Sequence, residues 1–112
     1  GKAALKSSEN VDRTIPVGIV KRVNIANGGG NVVVTGNPRT TSISITAVKS
    51  VWERTPKRGR AALAALDVAS ESSGDVLNIS LRHPENWDKT FEVAFFVTVP
   101  TTFRVEVENT SG

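Results

Sequence analysis

Cysteine and methionine are absent from this chain, and His83 is its one histidine. Without cysteine there is no disulfide, no thiolate nucleophile and no cysteine-based metal site. His83 is left as the sole imidazole for metal binding or general-base work. No apolar run approaches the roughly 18 residues needed to cross a bilayer, so no transmembrane segment is read. A Gly-x-Ser-x-Gly turn and paired inward carboxylates are missing too, which points away from an enzyme. What is present is a chain of 112 residues with a net charge of +3. That length suits one domain burying roughly 65% of its unfolded surface. The mild basic excess favours solubility and weak attraction to polyanions.

Apolar residues alternate with polar ones over most of the sequence, the mark of half-buried strands. The pattern is strictest over residues 91–99, where Phe91, Val93, Phe95, Val97 and Val99 share one face and Phe96 takes the other. A Pro100-Thr101-Thr102 corner leads to a second such strand at residues 103–108. The turn-type residues Asn109-Thr110-Ser111-Gly112 that follow ought to lead into another strand. Upstream, Ile15, Val17 and Ile19 are followed by Val23 and Ile25 in a shifted phase, which a β-bulge at residues 20–22 would explain. Asn27-Gly28-Gly29-Gly30-Asn31 then turns the chain into Val32-Val33-Val34-Thr35, giving a first hairpin. After a tight turn at residues 36–39, Ile43, Ile45 and Ala47 point inward over residues 40–51, with Lys49 in phase.

Thr55 and Pro56 supply a capping hydroxyl and a first-turn proline, so a helix is predicted over residues 56–66. Ala62, Leu63, Leu66 and Ala69 line its apolar face, and Trp52 reads as a lid on the core beside it. Ser73-Gly74-Asp75 joins two further strands, in which Leu77, Ile79 and Leu81 face inward. Residues 1–13 lack periodicity and read as a mobile arm, leaving residues 14–112 as a single β-rich domain. The fold class is mainly β: a twisted antiparallel sheet or sandwich of about seven strands with one short helix.

The candidate chemical groups mostly have plain structural readings. The glycine-rich turn at residues 27–31 lacks the Lys-Ser/Thr pair and the following helix of a phosphate loop. His83, Glu85 and Asp88 share a polar loop and read as solvated, and the spacing of a calcium loop is absent, so no metal or cofactor is expected. Asn78 and Asn109 begin sequon-like triplets that read as strand and turn chemistry. Lys49, Arg54, Lys57, Arg58 and Arg60 crowd one stretch and form a candidate patch for an anionic surface polymer, against a solvated helix face as the plainer account. With no aromatic platform interleaved, no specific nucleic acid is expected. Trp87, flanked by polar residues, is a candidate surface contact, against simple cover for one end of the sheet.

The order of these segments resembles the N-terminal part of a family of bacterial adhesin domains of unknown function. They occur in exported or envelope proteins and are built as β-sheets that run into a β-solenoid. The likeness spans about residues 15–112. It rests on the Asn31-Val32-Val33-Val34-Thr35-Gly36 turn and strand, the Ala61-Ala62-Leu63 helix before Gly74-Asp75-Val76-Leu77-Asn78-Ile79, and the Val99-Pro100 corner with its alternating strand. Family members continue with further strand-turn-strand rungs, of which this chain has the first. The resemblance implies an extracellular or cell-surface setting and carries over no catalytic residue. The expectation is a non-enzymatic adhesin-like structural module acting through sheet edges or surface contacts with protein. The alternative is a subunit of an extracellular filament, a homopolymer in which Phe103, Val105 and Val107 of one copy pair with the Ile15, Val17 and Ile19 segment of the next. The front, Gly1-Lys2-Ala3-Ala4, reads as a processed or trimmed terminus.

Overall fold

The computed structural model describes residues 4–109, so most of the turn expected at residues 109–112 lies outside them. Alternation in the sequence becomes strands β1 (Leu5–Pro16), β2 (Arg22–Asn27), β3 (Val32–Asn37) and β4 (Ser42–Glu53). Helix α1 (Pro56–Ala65) follows, then β5 (Asp67–Ser73), β6 (Val76–Arg82), β7 (Phe91–Pro100) and β8 (Arg104–Asn109). They form two facing sheets ordered β1-β4-β7-β3 and β5-β6-β2-β8. Between them lie Val23 and Ile25, Ile43, Ile45 and Ala47, Leu77 and Ile79, and Val93, Phe95, Val97 and Val99, all buried. The molecule is therefore a mainly β sandwich with one short helix.

α1 lies in the layer of the second sheet, where it covers the long ends of β1 and β4. Thr55 caps it by accepting a hydrogen bond from the Arg58 amide at 3.1 Å, and Ala62 and Leu63 pack on Val51. Gly59 lets the helix approach β1, because a Cβ there would overlap the Ser7 hydroxyl. This contact is one reason that residues 5–13 are not the mobile arm expected from their composition. β1 pairs antiparallel with β4 along its whole length, from Leu5 opposite Glu53 to Pro16 opposite Ser42. Its inward side carries Ser7 and Glu9 against the helix end of the sheet, and Val11 and Ile15 against the core. A strand half of whose inward positions are polar shows no clean apolar alternation.

Three other expectations change. No bulge lies at residues 20–22; the chain leaves the first sheet at Pro16 and enters the second at Arg22, with Gly18 at φ 54° in the link. β2 and β3 are not a hairpin, since the turn at residues 28–31 carries the chain from one sheet to the other. Gly30 adopts φ 109° against the Val93 carbonyl, where a Cβ would collide. Because such arcs return the chain in the same direction, β2 pairs parallel with both β6 and β8, and β3 pairs parallel with β7. The sheets are thus mixed where antiparallel ones were expected. Trp52 is not a core lid: it lies beside Lys6, whose Nζ is 5.7 Å from its ring, whereas Trp87 and Phe91 pack on the core beneath the helix.

Candidate functional site

The last strand of the first sheet is β3 and the last of the second is β8. Each follows an interior strand of the opposite sheet after a short link, which places both free edges at one end of the sandwich. Val32 and Val34 stand opposite the buried Phe95 and Val97, so both face the interlayer space; Val105 and Val107, opposite Val23 and Ile25, do the same from below. Val34 is nevertheless 39% exposed and Val107 42% exposed. Among the described residues no strand covers the interior along this end. The outer face beside it adds Val33 and Phe96, opposite one another and both exposed. At the far end α1, Leu66 and Val68 close the interior.

Of the residues expected to form an interaction edge, the structure brings Phe103, Val105 and Val107 together on or beside β8. Ile15 lies far from them in the outermost strand of the first sheet, half-buried against the core. Val17 is a half-buried link residue whose amide donates to the Thr41 carbonyl at 3.1 Å, and Ile19 is an exposed link residue. β2, the interior half of the segment offered as their partner, has both sides occupied, by β6 and by β8 of the same chain. Pairing between that segment of one copy and β8 of the next is therefore already made within one molecule.

A signal for this arrangement stands in the sequence as a repeat. Arg22-Val23-Asn24-Ile25-Ala26-Asn27 and Arg104-Val105-Glu106-Val107-Glu108-Asn109 lie side by side in matching register. Asn27 is buried and pins the turn after β2, its Nδ2 donating to the Val93 carbonyl at 2.9 Å and its Oδ1 accepting from the Gly29 amide at 3.4 Å. Edge strand β3 was missed as a free edge because its place beyond β7 depends on parallel pairing between distant segments.

The expected cationic patch divides. Arg54, Lys57, Arg58 and Arg60 are exposed around the start of α1, which has no acidic residue in its first turn. Lys49 is not part of it: at 5% exposure its ammonium donates to the carbonyls of Leu63 and Leu66 at 2.8 and 2.7 Å, and Glu9 meets it at 3.0 Å. Trp87 is half-buried, stacked on His83 with ring centroids 5.0 Å apart and 5.4 Å from Phe91. Its remaining surface walls a shallow cavity of about 280 Å³ with Arg58, Lys89, Glu53, Ala61 and Ala62. The aromatic surface and one cation of the patch thus meet, which spacing in the sequence does not show. The Glu53 Oε1 is buried there and has the Lys89 ammonium 2.7 Å away as its ion partner. Among the described residues no group of three or more His, Asp and Glu side chains gathers at metal-binding distance, and no helix is long and apolar enough to cross a membrane.

Comparison with family models, with curated proteins and with solved structures finds no match.

Proposed function

We propose that this protein is a non-catalytic, adhesin-like interaction module of an exported or cell-surface protein, and that it works by extending its sheets at the β3/β8 end. The observation that carries this reading is the exposure of Val34 and Val107, core-facing side chains beside backbone edges that no other described strand covers. A strand added there gains backbone hydrogen bonds and buries apolar surface in one step. The sequence resemblance supplies the surface setting. Beads coated with the purified chain and offered to cells of its source test the reading. Attachment that disappears with Val105→Pro supports contact through the edge. Attachment equal for the two proteins, or none for either, overturns it.

The exposed cations at the start of α1 make a second contact surface for an anionic surface polymer, with Trp87 beside Arg58 as its apolar wall. Exposed charges act through counterion release, so binding to heparin, used as the probe, falls steeply with salt. Replacing Lys57, Arg58 and Arg60 together by Ser should weaken it and lower the salt slope by about 2–3. An unchanged affinity and slope on a heparin column titration would leave these residues as a solvated helix face.

A further inference from the structure

We infer that the β3/β8 end takes a second copy of this chain, by antiparallel pairing of β8 with β8 about a two-fold axis through Val105. This rests on the reading of that end as the working edge and names its partner. The Arg104 amide donates to the Lys21 carbonyl at 3.3 Å, toward the interior of the sheet. Successive residues of a strand point their backbone groups to opposite sides, so the N–H and C=O of Val105 and Val107 point to the free edge. In an antiparallel pair the residues that exchange hydrogen bonds are those whose groups face the partner. Placing Val105 opposite Val105 of the second copy satisfies that rule at the axis and sets Val107 opposite Phe103, whose amide is already given to the Pro100 carbonyl at 3.0 Å. The ladder is thus complete at Val105 and is carried to either side by the Val107 amide.

The side chains agree with this register on both faces. On the inner face Val105 meets its counterpart and Val107 meets Phe103, closing apolar surface that is open in the single chain. On the outer face Arg104 meets Glu106 of the second copy, and the two-fold repeats the pair with the roles exchanged. Opposite charges directly across a ladder stabilise it. The same axis brings β3 to β3, where Val33, Val34 and Thr35 present no charge of either sign.

Head-to-tail growth is disfavoured by the same chemistry. It would lay β8 against β5 of the next copy, the opposite edge of that sheet. β5 carries Asp67 and Glu71 on its outer face and no cation, with Glu71 already engaged by Arg82. Of the three charged residues on the outer face of β8, Glu106 and Glu108 share the sign of Asp67 and Glu71 and Arg104 alone opposes it, and like charges directly opposite are destabilising. An isologous dimer closes on itself, whereas the head-to-tail contact makes an open fibre.

Sedimentation velocity over a concentration series, with circular dichroism melts as the check on folding, tests the inference. The parent chain is expected to move from monomer to dimer and to stop there. Val105→Pro removes a donor from the free edge and none from the ladder to β2, so it should stay folded and monomeric. Arg104→Glu should weaken the dimer about tenfold or more, and Arg104→Glu combined with Glu106→Arg should restore it. A parent chain that is monomeric to its solubility limit overturns the inference, as does growth into larger species or a dimer indifferent to both single changes. A monomer whose coated beads still attach to cells removes the dimer and leaves the edge-contact reading. A dimer whose beads do not attach does the reverse.

Discussion

Replacing Phe95 by Ala is expected to cost about 3–5 kcal/mol in urea unfolding, the range for truncating a fully buried aromatic residue. Phe95 has no exposed surface, sits on interior strand β7 and is flanked in its sheet by Ala47 and Val32. Its ring is the largest side chain wholly inside the sandwich, where interlocked neighbours refill a cavity only in part. A domain of this size is stable by about 5–15 kcal/mol, so the variant loses about a fifth or more of what holds it together. Phe96 provides the internal control. It lies on the outer face at 46% exposure, and Phe96→Ala should cost less than about 1 kcal/mol. Equal midpoints for Phe95→Ala and the parent would show that β7 does not face the core as described.

The features legible in the sequence are those that local chemistry decides. The alternation of residues 91–99 fixes which face of β7 is inside, Thr55 and Pro56 start the helix, and Ser73-Gly74-Asp75 joins β5 to β6. Turn residues at 27–31 are a different case. They announce a reversal, and the same residues serve a hairpin within one sheet or an arc between two. Only the distant neighbours of β2 and β3 settle which, and these are parallel partners brought together by the fold as a whole. The matching Arg-Val and Asn positions of β2 and β8 carry that information at long range. For the candidate site, β8 was readable as the last strand, but its partner edge was not, since β2 is filled from both sides. β1 escaped notice for a further reason: its inward residues Ser7 and Glu9 meet a closely packed glycine of the helix, which calls for a small side chain, and a buried ammonium, which calls for an acidic one.

That ammonium underlies the second large effect. Helix α1 ends without a basic residue in its last turn; the Leu63 carbonyl accepts from the Leu66 amide at 3.2 Å, while the Leu66 carbonyl, beside the core, takes its proton from outside the helix. Lys49, reaching across from β4, donates to both and meets Glu9 from β1, so its three protons have three acceptors. One side chain therefore ties the helix end to two strands and complements the negative end of the helix dipole. Lys49→Met keeps the stem and removes the charge. It strips the Leu66 carbonyl of its partner and the Leu63 carbonyl of a charged donor where water has little access, and should cost about 2–4 kcal/mol. Glu9 is half exposed, and a solvated carboxylate gains little from one partner, so Glu9→Gln should cost less than about 1 kcal/mol. The two variants separate the contributions. If Glu9→Gln proves as harmful as Lys49→Met in thermal melts, the ion pair dominates. If neither variant moves the midpoint, the cap at the end of α1 contributes nothing.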